Sequence, residues 1–392
     1  MRLLSLVLAA SVALAPVAAV AQSAPSPAPS PVLVRIIDEG GNRSEAMRIA
    51  QYLTDVIGPR LTNSPGMRHA EDWTMARFRA WGLSNVHREG FQFGRSWWAE
   101  RTSVRMVAPR IRDLTAAPVT WAPGTDGAHT APVVFAPIRT AADFDAWRGK
   151  LAGKIVLLSP PDARDDPTEP AFRRFSDSDL AGFDSYRLPT YDPNEGPGSL
   201  DRLTFTAVRD AFLKEEGAVA VVTMSGRDSN LVHGSGYQFR TDNAPPLPAF
   251  ELAAEDYRRL VRLTQMGATP SLEIDNVVHF DDSDPQAYNI LADIPGTDRN
   301  AGYVMAGAHM DSWAAGDGAA DNAAGVAMVM EAARILSALG VRPRRTIRFA
   351  LWTGEEQGLL GSMDYVERHI ATRPVDPALS GLARYASWNR AW

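Results

Sequence analysis

Three short segments between residues 307 and 362 carry side chains able to hold a metal ion and to move a proton. The first is Gly307-Ala308-His309-Met310-Asp311-Ser312-Trp313, directly after an apolar run that reads as a strand. Side chains at i and i+2 of an extended segment face the same way. His309 and Asp311 therefore suit a metal-binding imidazole and the carboxylate that orients its other ring nitrogen. Taken alone, a His beside an Asp is more often a satisfied polar pair. The second segment is Gly316-Asp317-Gly318-Ala319-Ala320-Asp321-Asn322-Ala323-Ala324-Gly325. Asp321 has the place of an ordinary helix N-cap. Its tiny neighbours nevertheless admit a close approach from two sides, which suits a carboxylate bridging two cations. The third is Trp352-Thr353-Gly354-Glu355-Glu356-Gln357-Gly358-Leu359-Leu360-Gly361-Ser362. Neighbouring side chains diverge, so one glutamate can ligate a metal while the other faces the water beside it as general base. A bare Glu-Glu pair is usually a solvated acidic turn, but the apolar strand before it and the surrounding glycines weigh against that. The joint arrangement is far more specific than any of its parts.

These side chains need a frame that brings distant segments together. From Gln286 onward the pattern is regular α/β: strands over Asn289–Ile294, Tyr303–Ala308 and Arg345–Trp352, a helix over Ala323–Gly340, and another opening at Ser362. Strand, loop and helix in alternation predict a parallel sheet, with reactive groups on loops at the carboxyl ends of its strands. Upstream, apolar spacing predicts helices over Asn42–Ile57 and Met67–Trp81, an exposed strand over Val86–Phe93 and a short one over Val104–Val107. Between residues 114 and 268 the character changes to short β-like runs alternating with helices, interrupted by the polar, proline-broken stretch Pro160–Gly198. This block contains no cluster of His and acidic residues, and it reads as a small inserted α/β domain.

The segments GAHMDSW, GDGAADNAAG and RRTIRFALWTGEEQGLLGS resemble the co-catalytic di-zinc exopeptidases, metallopeptidase family twenty-eight, and within it the plasma glutamate carboxypeptidase branch. Gly58-Pro59-Arg60-Leu61-Thr62 with Ser64-Pro65-Gly66 is similar to the family's N-terminal signature, and GKIVLLSP with GAVAVVTMSG resembles its protease-associated insert. The resemblance implies a zinc-exopeptidase-like α/β fold, a mostly parallel sheet flanked by helices and interrupted by that insert. It implies two zinc ions, with His309 on one, Glu356 on the other and Asp321 bridging both. Glu355 is then the general base and Asp311 the partner of His309, and a cis peptide is expected at Asp321-Asn322. The family uses two further ligands downstream, an acidic residue and a late histidine. Only Asp364, His369 and Asp376 follow usefully, and the first two fall too early, so the chain reads as a fragment with an incomplete core. The implied segments are a first peptidase segment at 39–113, the insert at 114–268 and a second peptidase segment at 269–392.

The chain opens on MRLLSLVLAASVALAPVAAVAQ, in which Arg2, an apolar run and Ala19-Val20-Ala21 form a secretory signal over residues 1–21. A tether rich in Ser, Ala and Pro is expected at 22–38. The expected compartment is secreted or periplasmic, with no stable membrane insertion after cleavage. The absence of cysteine excludes both a lipobox and disulfides, so stability must come from the core. A net charge of −6 without basic runs argues against nucleic acid as a partner. The expected function is zinc-dependent hydrolysis of terminal peptide bonds of small peptides, at the amino or the carboxyl end. A non-catalytic receptor-like or scaffold relative of the same fold is the alternative, and a single-zinc acyltransferase a more distant one.

Overall fold

A computed structural model describes residues 30–161, 173–183, 195–227, 230–236, 238–240, 247–372 and 378. The expected signal peptide and the first part of the expected tether lie outside the described residues, as does Asp376. Among the described residues, no helix is long and apolar enough to cross a membrane.

The chain turns helical sooner than its composition suggests. Helix α1 spans Pro31–Asn42, so residues 31–38 are not the tether expected there. Its start has a local cause: the Ser30 hydroxyl accepts from the Leu33 N–H at 3.3 Å, and Pro31 presets the first helical turn. Helix α2 (Ala46–Gln51) continues directly into a π-helical turn, Tyr52–Ile57, which ends at Gly58. Helix α3 (Pro65–Ala80) is capped by Ser64, whose hydroxyl accepts from the Met67 N–H at 3.2 Å.

Two sheets follow. The first contains β1 (Ser84–Gln92), β10 (Gln286–Ile294), β11 (Tyr303–His309) and β12 (Thr346–Trp352), in the order β1-β10-β12-β11. It is mixed rather than mostly parallel: β1–β10 and β10–β12 are antiparallel, and β11–β12 is the parallel pair. The reason lies in the connections. Between β11 and β12 stands helix α8 (Ala324–Ala338), long enough for a crossover, whereas residues 295–302 join β10 to β11 without a helix. Successive strand residues face opposite sides. Ile290, Ala292, Phe349 and Leu351 pack beneath α2, α3 and α8, while Leu291 and Ala350 pack with Tyr365 of helix α9 (Leu360–His369) on the other face.

The second sheet lies wholly between Ser96 and Asp281. Its order is β3-β2-β9-β5-β6-β7-β8-β4. The strands are β2 (Ser96–Ala108), β3 (Arg112–Asp113), β4 (Ala116–Pro118), β5 (His129–Phe135), β6 (Ile155–Leu157), β7 (Ala220–Met224), β8 (Ala249–Leu252) and β9 (Ser271–Asp281). Helices α4 (Phe144–Trp147) and α6 (Glu195–Glu215) supply Phe144, Phe212 and Leu213 to one core; α7 (Ala254–Gln265) supplies Tyr257, Leu260 and Val261 to another, and the short α5 covers Asp177–Phe183. No strand of this sheet joins the first. The unit is wider than the expected 114–268, because β2 and β9 form a long antiparallel ribbon on which the chain leaves and returns. Aromatic side chains from both units meet at the base of that ribbon: Phe91, Phe93, Trp97, Trp121, Phe239 and Trp313 form one buried cluster.

Candidate metal centre

His309 is the last residue of β11, and β12 runs parallel beside it, pairing His309 with Trp352. The carboxyl ends of the two strands therefore open onto the same loops. Gly307 lets them approach: a Cβ there would lie 2.5 Å from the Trp352 indole nitrogen. The His309 side chain is 12% exposed, and its Nε2 lies 3.0 Å from Asp321 Oδ1 and 3.8 Å from Glu355 Oε2. Asp321 stands just before α8, with φ −127° and ψ 91°, and is joined to Asn322 by a cis peptide bond. Each of His309, Asp321 and Glu356 offers one ligand atom to a group whose members all lie within 4.8 Å of one another. The structure thus brings together the three residues expected to hold metal, with Glu355 beside them.

Asp311 holds the arrangement from beneath. It is fully buried, and its carboxylate accepts from the Glu355 N–H at 3.3 Å, the Glu356 N–H at 3.2 Å and the Thr62 hydroxyl at 3.1 Å. Its expected partnership with His309 takes the form of an ion-pair contact. The His309 Nδ1 lies 3.1 Å from the Asp311 backbone carbonyl but 3.7 Å from its Oδ1. The second distance is too long for a hydrogen bond, because the carboxylate is turned toward the two glutamate amides. The loop of those glutamates is fixed at both ends by buried Asn289, which accepts from the Thr353 N–H at 3.2 Å and donates to the Gly361 carbonyl at 2.9 Å.

Arg60 is the part of the site to which the sequence assigned no role. It is fully buried, and among the described residues its guanidinium donates only to backbone carbonyls: Met310 at 2.9 Å, Leu53 at 3.1 Å, Gly58 and Asp317 at 2.8 Å, and Gly318 at 2.9 Å. Its own N–H donates to the Ser312 hydroxyl at 3.0 Å. One cation thus ties the His309–Asp311 turn to the loop that leads to Asp321. Burial lowers its pKa to about 10, although Asp311 and Asp317 act in the opposite sense. The Gly-Pro-Arg-Leu-Thr segment contained the signal, since an arginine fixed between a glycine-proline stop and a capped helix has few ways to reach solvent.

The charges respond to one another. Burial penalises the His309 imidazolium, yet the Asp311 contact and the carboxylates of Glu355 and Asp321 outweigh it and raise its pKa to about 9. Glu356 is pushed up to about 7, first by burial and then by Asp321 and Asp311, with His309 opposing. A crowded set of carboxylates around one imidazole is a site short of positive charge. One imidazole nitrogen and two carboxylate oxygens are also donors that zinc accepts, at about 2.0–2.2 Å. On donor type and spacing the residues fit the metal.

The downstream candidates lie elsewhere. His369 faces Glu89 at 2.9 Å and Asp364 pairs with Arg368, both on α9 and outside the cluster.

Residues 289–379 match the model of Peptidase family M28. Carboxypeptidase Q of Mus musculus is 28% identical over 325 residues, an alignment covering 81% of this chain and 60% of the mouse protein. The chain therefore spans about 60% of the length of that curated relative. A Peptidase M28 precursor from Shewanella amazonensis shares the fold with a TM-score of 0.60 at 23% identity, covering 86% of this chain and 70% of that one. A zinc aminopeptidase from Bacillus subtilis does so with a TM-score of 0.52 at 21% identity, covering 83% and 64%. At such identities the solved structures speak for the fold alone. The stretch that carries His309, Asp321, Glu355 and Glu356 thus lies within the part of the chain that matches Peptidase family M28.

Proposed function

We propose that this protein is a zinc-dependent exopeptidase that hydrolyses terminal peptide bonds of small peptides, with two zinc ions held by His309, Asp321 and Glu356. The convergence of these three residues within 4.8 Å, with Glu355 Oε2 at 3.8 Å from His309 Nε2, carries the proposal. A family M28 domain and relatives named carboxypeptidase Q and zinc aminopeptidase support it. When bound, zinc supplies Lewis-acid polarisation of the scissile carbonyl and of water.

The remaining steps belong to the chain. Asp311 fixes the backbone of both glutamates, so that Glu356 points its carboxylate at the His309–Asp321 pair while Glu355 stays free of ligand duty. Glu355 Oε2 takes a proton from the attacking water and returns it to the leaving amine. His309 would hold the metal as a neutral imidazole, the form in which its ring nitrogen can donate. The second sheet unit corresponds, in this proposal, to a protease-associated domain. The apolar leader at residues 1–21 supports export to the periplasm or the medium.

Replacing Glu355 by Gln tests the assignment. Turnover of a dipeptide or of an aminoacyl or acyl amide should fall at least about a hundredfold, the scale for losing a positioned general base, with zinc content unchanged. Activity that persists, or zinc lost in its place, would show that the glutamate pair has other roles.

A further inference from the structure

The second sheet unit meets the segment that follows His309 partly through the connection between β7 and β8. His233 lies on it, and its imidazole packs against Trp313 with ring centroids 5.4 Å apart and planes at 57°. Trp313 belongs to the segment of His309 and Asp311, is 8% exposed, and meets Trp121 of the second unit edge-on at 6.3 Å. The loop is held firmly. The Glu251 carboxylate accepts from the His233 N–H at 2.8 Å and the Gly234 N–H at 3.3 Å, and the Gly234 carbonyl accepts from the Thr120 N–H at 2.9 Å. Gly234 has φ +64°, and a Cβ there would come within 2.6 Å of the Pro118 carbonyl. Glycine is needed for that turn.

Although its backbone is fixed, the half-buried His233 ring has no hydrogen bond among the described residues, and it packs on Trp313, four residues beyond His309. Burial first, and then Arg227, lowers its pKa, while Glu251 and Asp321 draw it upward. Asp321 is thus among the charges that act on the ring, and burial disfavours the charged imidazolium. Asp321, Glu355 and Glu356 form an acceptor-only wall when ionised. A peptide lying against them needs donors for its own oxygens on the opposite side. Arg60, the cation beneath the acids, is committed to backbone carbonyls.

We propose that His233 is a substrate-binding residue supplied by the second sheet unit, whose ring N–H donates a hydrogen bond to an oxygen of the peptide held at His309, Asp321 and Glu356. The inference rests on the peptidase function proposed above. It explains why a unit without acidic or histidine clusters of its own is folded against the Trp313 segment.

The test compares zinc-loaded wild type with His233→Ala and His233→Gln on a dipeptide substrate. The expected result is a KM raised about tenfold by Ala with kcat changed less than about threefold, and a KM near wild type for Gln, which keeps a donor. Zinc content and Tm should be the same in all three, since no metal ligand is touched. An unchanged KM in the Ala variant, or a Gln variant as impaired as Ala, overturns the proposal. If the wild type hydrolyses no dipeptide, the peptidase function fails, and calorimetric binding of the same dipeptide then decides the role of His233. Binding about tenfold weaker in Ala and restored in Gln upholds it; equal binding in all three, or none in the wild type, overturns it.

Discussion

The Asp311 carboxylate accepts the backbone N–H of Glu356 at 3.2 Å, so the segment after β11 holds in place the loop after β12. The two are locked by one buried side chain, which also takes the Glu355 N–H at 3.3 Å. Asp311→Asn keeps the volume but turns an amide N–H₂ toward these donors. Zinc affinity should fall about 10–100-fold, as when an outer partner of a metal ligand is lost. A competition titration against a chelator of known affinity measures it.

Arg60 makes a second prediction. Arg60→Met removes the donors facing the carbonyls of Leu53, Gly58, Met310, Asp317 and Gly318 and leaves several of them buried without a partner. Unfolding in urea should show a loss on the order of 3 kcal/mol, the scale for breaking a buried network. Arg60→Lys, with three donors on one nitrogen, should fall between the two.

A pH dependence follows from the anchoring of α1. Arg334 donates to Glu39 at 2.8 Å and to Glu331 at 2.7 Å, joining α1 to α8. Glu39 is held below its ordinary 4.5, first by the Arg334 hydrogen bond and then by Arg43. Glu331 is raised by burial, but hydrogen bonds from Arg334 and the Glu45 N–H outweigh this and leave it lowered. Carboxyls with depressed native pKa values stabilise the fold above the unfolded value and lose that contribution as pH falls through the native one. The protection factors of the α1 amides, exchange rates divided into their intrinsic values at each pH, should therefore fall on acidification below 4.5. Arg334→Gln should flatten this dependence; equal acid sensitivity in both proteins would place the effect elsewhere.

The sequence was most legible where chemistry and backbone constraint coincide. His309, Asp321, Glu355 and Glu356 stand in short segments crowded with Gly and Ala, where few residue types tolerate the turns, and the same four converge in space. Less legible were features set by tertiary partners. Helix α1 exposes Val32, Leu33, Val34 and Ile37, so its apolar pattern does not mark a buried face, and a buried Glu39–Arg334 pair, 295 residues apart, anchors it instead. Strand β2 was seen only at Val104–Val107, because its middle, Glu100 to Ser103, carries polar side chains on a ribbon open to solvent. β10 departs from the expected parallel direction for a topological reason: alternating elements predict crossovers, but the link from β10 to β11 is too short to make one. The orientation of Asp311 depends on two amides that arrive from β12, which periodicity alone does not reveal.

The most direct test of the central claim is an equilibrium zinc titration of the metal-free protein and its single variants His309→Ala, Glu356→Ala and Glu355→Gln. The account predicts tight binding by the wild type and by Glu355→Gln. It predicts losses of more than about a hundredfold, beyond those of outer partners, for His309→Ala and Glu356→Ala. Wild-type affinity in His309→Ala would contradict it, because the cluster of His309, Asp321 and Glu356 would then not be where the metal binds.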